Sequence, residues 1–164
     1  LLVMALKGVP AFYLPALLAS ENDIKSFSMT GQRRDLNREK FKLDNLVSVL
    51  NNPESNANKN IKYLGNAMDI RSKLEQFHPS SEMECLSKGR SDIVVIKRGK
   101  GPKSVFAIHN MTENKINYQL DDYDLPELID NDFNMKDFLA STKYNWKNIS
   151  LDPFQVIWLG SLMK

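Results

Sequence analysis

Three arginines fall within six residues of this chain, Arg33, Arg34 and Arg38, in the run Thr30-Gly31-Gln32-Arg33-Arg34-Asp35-Leu36-Asn37-Arg38-Glu39. A guanidinium is a planar five-donor fork. It can hold a carboxylate with one edge and a hydroxyl or phosphate oxygen with another. A few residues upstream lie Asn22 and Asp23, a second pair of polar groups able to bond a hydroxylated ligand or to cap a turn. The whole stretch Ser20–Glu39 is polar and short of apolar anchors, so it reads as a long loop, and long ordered loops tend to carry function.

Other reactive residues carry less. Cys85 is the single cysteine and sits in a Ser/Glu/Lys-rich stretch, which reads as an inert thiol. With no second cysteine an internal disulfide is impossible, and a reducing cytoplasm is the expected setting. His78 and His109 stand far apart with no second ligand at metal spacing, so neither a metal nor another cofactor is expected. Asp121-Asp122-Tyr123-Asp124 lacks the glycine and glutamate of a calcium loop and reads as a solvated acidic turn. Trp146 and Trp158 could stack on a sugar, but Trp158 lies inside an apolar run and is expected in the core.

The elements that must position these residues follow from pattern. In 164 residues there is room for one ordinary domain or two small pieces. Hydrophobic content of 42%, charged content of 26% and a net charge of +2 fit a globular protein and argue against nucleic-acid or membrane partners. The apolar first twenty residues are cut by Lys7-Gly8-Val9-Pro10, which leaves no membrane-length block. A basic leader and a cleavage site are absent too. Leu1–Lys7 reads as the end of a helix whose beginning would lie upstream. Gly8 and Pro10 stop it. Val9–Leu14 then reads as a short strand buried on both faces. Helices are expected over Phe41–Leu50 and Asn58–Phe77, the second with Ile61, Leu64, Met68, Ile70 and Leu74 on its apolar side. Asn51–Asn56 breaks them apart. From Gly89 the character changes. Strands are expected at Asp92–Lys97, Val105–Asn110, Ile116–Leu120 and Phe154–Leu159, the first two joined by a hairpin-type turn. Residues 121–146 are irregular, with Leu125, Leu128, Ile129, Phe133 and Phe138 as anchors, and Pro126 argues against one continuous strand.

Several of these pieces occur in an order that resembles a known family. G-V-P-x-x-Y at Gly8–Tyr13, L-L-x-S-x-N-D at Leu17–Asp23, T-G-x-x-R-x-x-N-R-E-K at Thr30–Lys40 and L-D-P-F-Q-V-I-W-L at Leu151–Leu159 resemble the sucrose-phosphorylase-like enzymes of the α-amylase superfamily. The first resembles the eighth strand of the catalytic barrel and the second the start of its loop. The third resembles the arginine-bearing segment, and the fourth the last strand of the C-terminal β domain. The helix ending near His78-Pro79 resembles the final barrel helix. The resemblance implies a fold class: a fragment of an α/β barrel, namely the last strand and helices of a TIM-type barrel, followed by a small antiparallel β-sandwich-like domain. The boundary then falls between 1–88 and 89–164.

The resemblance also implies roles. Arg34 matches an arginine that pairs with an aspartate of an early barrel loop and shapes the glucose subsite. Asn22 and Asp23 would face the acceptor or cap the loop, and Arg33 would face phosphate or an anionic acceptor. Arg38 is expected in a structural ion pair. Catalytic carboxylates would lie before Leu1, so none is assigned here. The parent is expected to be a retaining α-glucosyl phosphorylase that cleaves a glucoside such as sucrose or glucosylglycerate with phosphate, giving glucose 1-phosphate. Its partners would be the sugar, inorganic phosphate and the N-terminal barrel portion of the same enzyme. The alternatives are a hydrolase or transglucosidase of the same superfamily, or a non-catalytic carbohydrate-binding β module.

Overall fold

Alternating and continuous apolar runs in the second half build antiparallel sheet, and helices dominate the first half. The computed structural model describes residues 1–120 and 134–161. By contact density the chain divides into two units, one of Leu1–Pro10 with Met68–Lys164 and one of Ala11–Ala67.

In the first unit, β1 (Met83–Cys85), β2 (Ile93–Arg98), β3 (Val105–Asn110), β5 (Asn134–Asp137), β6 (Lys143–Asn145) and β8 (Val156–Gly160) form a six-stranded sheet in the order β1-β2-β3-β8-β5-β6. A separate ribbon pairs β4 (Ile116–Tyr118) with β7 (Ile149–Leu151). Every pairing is antiparallel. The β2–β3 hairpin sets Val95 opposite Ile108 and Ile96 opposite Ala107. Because cross-strand partners share a face, Ile93, Val95, Phe106, Ile108, Ile157 and Leu159 turn to one side. There they join Ile149 and Leu151 of the ribbon, with Leu86, Leu120, Met135 and Trp146, in one buried cluster. All six residues of β3 are buried, as expected of a strand flanked on both edges and covered on both faces.

The opposite face carries Ile96, Arg98, Ala107 and Trp158. Trp158 packs against Phe77 with ring centroids 4.6 Å apart, so its place is in the core. Arg98 is fully buried. It donates from Nη1 to the carbonyls of Ala5 (3.0 Å) and Leu6 (2.7 Å) and from Nη2 to that of His78 (3.0 Å). Arg71 donates to Met4 O (2.9 Å) and Gly8 O (3.0 Å). Both guanidiniums lie near the Phe77 ring, at 5.8 and 5.6 Å from its centroid. These bonds satisfy carbonyls at the end of α1 (Leu2–Ala5), which would otherwise lack partners. Asp137 is buried and accepts N–H bonds from Trp158, Leu139 and Ala140. Burial pushes its carboxyl up, against the pull of those three donors. Phe138 lies so close over Gly160 that a side chain there would collide with its ring.

The second unit holds α2 (Leu14–Leu17), α3 (Ile24–Thr30), α4 (Leu43–Asn51) and the first two-thirds of α5 (Asn56–Lys73). Ser55 caps α5 through its hydroxyl, which accepts from Asn58 N at 3.1 Å. On α5 the buried residues are Ala57, Leu64 and Ala67. Of the five apolar residues expected to face inward, only Leu64 is buried, and Ile61 is exposed.

Three expectations are corrected. Val9–Leu14 is not a strand: Val9 is 80% exposed, and Leu14 begins α2. A strand exists only with ladder partners, and among the described residues none pairs with 9–14. Pro15 removes a donor but suits the first turn of a helix, so the local chemistry selects α2. Ser20–Glu39 is not a plain loop, because it contains α3 and a 3-10 turn at Arg33–Asn37. The last strand begins at Val156 rather than Phe154, which is 66% exposed and has a φ of 54°. Strands at Met83–Cys85 and Ile149–Leu151 escaped the pattern, being only three residues each, and the stretch read as irregular holds two more, Asn134–Asp137 and Lys143–Asn145. The anchors and acidic turn of 121–133 lie outside the described residues.

Candidate functional site

The polar segment that carries Arg33 and Arg34 is built from local caps. Asp23 is the N-cap of α3, accepting from Ser26 N (2.9 Å) and from the Ser26 hydroxyl (2.5 Å). Those bonds hold its carboxyl below the usual carboxylate value. Asp23 is therefore a helix cap here, and its Oδ atoms are already engaged. At the other end Gly31 adopts φ 68° and donates to Phe27 O (2.8 Å), closing α3 in the left-handed geometry that favours glycine. Thr30 donates to Asp35 at 2.5 Å, which ties the end of α3 to the 3-10 turn.

One backbone bond joins the two halves of the segment. Asp23 N donates to Leu36 O at 2.8 Å, so the Asn22–Asp23 corner and the arginine turn are neighbours. Arg33 and Arg34 both point into solvent from this turn. Neither forms an ion pair among the described residues. Arg38 is exposed as well, and the ion pair expected of it is not found among the described residues. Asn22 and Asp23 line an open depression of about 460 Å³ together with Glu21, Lys25, Glu39 and Lys40. Arg33 and Arg34 are not among its lining residues. A neighbouring hollow of about 370 Å³, lined by Leu18, Phe41, Leu46, Val49 and Ala57 among others, is mostly apolar.

The segment enters this site through α2 and a tight turn. Ala19 follows α2 with φ 50°, an uncommon conformation for a residue with a side chain. Ser20 N donates to Pro15 O at 2.9 Å, which closes the helix end. Ala19 N donates to Ala16 O at 3.3 Å, and Asn60 of α5 adds donors from outside, its Nδ2 reaching Ala16 O (3.0 Å) and Leu17 O (2.9 Å). Sequence reasoning missed Asn60. Its only signal is a polar side chain in the stripe of Ala57, Leu64 and Ala67 on one helix face.

Among the described residues no group of three or more His, Cys, Asp or Glu could hold a metal ion. None of the described helices is long and apolar enough to cross a membrane.

No family model matches the chain. It is 30% identical over 112 residues to a glucosylglycerate phosphorylase of Allomeiothermus silvanus, a match covering 68% of this chain and 20% of that protein. It is 20% identical over 158 residues to a glucosylglycerate phosphorylase of Escherichia coli, covering 96% of this chain and 26% of that protein. The chain thus spans about a fifth to a quarter of the length of these relatives. Among solved structures, an α-amylase of Anoxybacillus resembles it with a TM-score of 0.64 at 17% identity, over 99% of this chain and 31% of that one. The likeness in structure bears on the fold alone.

Proposed function

The chain is a relative of the glucosylglycerate phosphorylases within the sucrose-phosphorylase-like group of the α-amylase superfamily, and from that premise we propose that it forms the C-terminal part of a retaining α-glucosyl phosphorylase. The donor would be an α-glucoside such as glucosylglycerate or sucrose, and the products glucose 1-phosphate and the freed acceptor. In such a reaction one carboxylate attacks the anomeric carbon, a second acid protonates the leaving oxygen, and phosphate then displaces the enzyme carboxylate. Both carboxylates would come from a part of the enzyme not contained in these residues. This chain would supply the closing helices of the barrel over 1–88 and the β domain over 89–164.

Within this reading Arg34 holds an aspartate of the glucose subsite and a sugar hydroxyl. Arg33 faces the phosphate or an anionic acceptor, and Asn22 and Asp23 stand at the acceptor side. The observation that carries the proposal is the match to two glucosylglycerate phosphorylases. Arg33 and Arg34, exposed on the turn and without an ion pair among the described residues, agree with it, since a guanidinium poised for an incoming carboxylate or phosphate needs its donors free. The single exposed cysteine suits a reducing cytoplasm.

The test is release of glucose 1-phosphate by the full-length enzyme from glucosylglycerate and from sucrose, with and without phosphate. Phosphate-dependent formation of glucose 1-phosphate supports the proposal. Free glucose formed equally well without phosphate would replace it with a hydrolase.

A further inference from the structure

We propose that Asn60 is a positioning residue for the arginine turn, acting through the backbone rather than on the sugar. This rests on the reading that Arg34 belongs to the glucose subsite. The chain of contacts is continuous within the unit Ala11–Ala67. Asn60 Nδ2 donates to Leu17 O, a carbonyl left open at the end of α2, and to Ala16 O, which also accepts from Ala19 N. The next residue but one, Ala19, is held left-handed at φ 50°, and the chain turns there toward Asn22 and Asp23. Asp23 then donates its N–H to Leu36 O within the turn that bears Arg33 and Arg34.

Nothing else among the described bonds holds those α2 carbonyls from another element. α2 is only four residues long, too short to keep its shape unaided. Asn60 sits in the inward stripe of α5, where asparagine is a poor helix former and an apolar residue would bury more surface. A carboxamide is suited to this place because its two N–H donors reach two successive carbonyls at once. Removing it frees the corner from which the loop departs, and a small displacement of Arg34 is enough to weaken transition-state contacts.

The experiment is a double-variant cycle in the full-length enzyme with Asn60→Ala, Arg34→Ala and the pair, read as kcat and KM for phosphorolysis of glucosylglycerate. Asn60→Ala should lower kcat about tenfold or more at a temperature well below its melting point, with a smaller change in KM. The pair should be scarcely worse than Arg34→Ala alone, because both changes remove one contact. Asn60→Asp should be worse than Asn60→Ala, since it turns an oxygen toward two carbonyls. Asn60→Ser, which keeps one donor, carries the same comparison where alanine does not fold. Full turnover in Asn60→Ala beside a crippled Arg34→Ala overturns the positioning role alone, as do losses that multiply fully in the pair. Full turnover in Arg34→Ala overturns the inference through its premise.

Discussion

Arg98 donates to the carbonyl of Leu6 at 2.7 Å across 92 residues of sequence, and does so while fully buried. Among the described residues it has no carboxylate partner. Its acceptors are neutral carbonyls of Ala5, Leu6 and His78. Burial, with Arg71 close by, lowers the guanidinium from its ordinary value. Arg98→Met should therefore destabilise the chain by about 2–5 kcal/mol, because it leaves buried carbonyls unpaired. Arg98→Lys should recover only part, since an ammonium cannot reproduce the fork. Urea midpoints followed by tryptophan fluorescence check this. A shift no larger than that of exposed Lys73→Met would show that the clamp is not structural.

His109 should make the fold acid-sensitive. It is 2% exposed, its Nε2 has no partner among the described residues, and burial pushes its pKa down to about 4 from the ordinary 6.5. The folded state keeps the ring neutral while the unfolded chain protonates it below 6.5. The stability it supports is complete above that value and drains away as pH falls toward 4. The loss between pH 7 and pH 5 should be about 2 kcal/mol. His109→Gln, neutral at both values, should flatten the dependence. Equal pH slopes in the two proteins would remove His109 from the account.

Protection against hydrogen exchange should be weak at Val9–Leu14 and strong at Val105–Asn110. The first segment lacks a ladder among the described residues, and Val9 is 80% exposed. The second is buried throughout and paired on both edges. Amides in such a strand open only with the whole sheet. Mass-spectrometric exchange on the 164-residue chain measures both, and the reverse order would contradict the fold.

Arg34→Ala in the full-length enzyme should harm turnover far more than Arg38→Ala. In the proposed role, losing a charge-assisted contact in a desolvated subsite, and leaving the aspartate partner unpaired, would cost about 2–5 kcal/mol. That is roughly 30-fold to several thousand-fold in rate. Arg38 is exposed and has no ion pair among the described residues, so its removal should change little. Phosphorolysis rates at saturating phosphate decide between them, and near-normal turnover for Arg34→Ala would place the loop arginine outside the site.

The 164-residue chain on its own should show no glycosyl transfer, because no carboxylate pair is assigned to it. Sucrose, glucosylglycerol and glucosylglycerate, each incubated with phosphate and the purified chain, should give no glucose 1-phosphate above a blank. Turnover of any of them would mean that the catalytic groups lie within these residues.

Sequence alone determined the long apolar strands, the helix pair on either side of Asn51–Asn56, and the run that holds Arg33 and Arg34. Each of these rests on local signals: β-branched blocks, helical spacing, and turn residues at fixed offsets. The core position of Trp158 was legible for the same reason. What only tertiary structure decided are features that depend on distant partners. Val9–Leu14 has the composition of a buried strand, yet a strand is a pairing, and composition does not supply one. Met83–Cys85 and Ile149–Leu151 are too short to carry a period and are strands because β2 and β4 lie beside them. Arg98 looked like part of a hairpin turn and Asn60 like one polar residue of a helix. Their roles arise from carbonyls 92 and 43 residues away, whose approach no local pattern encodes.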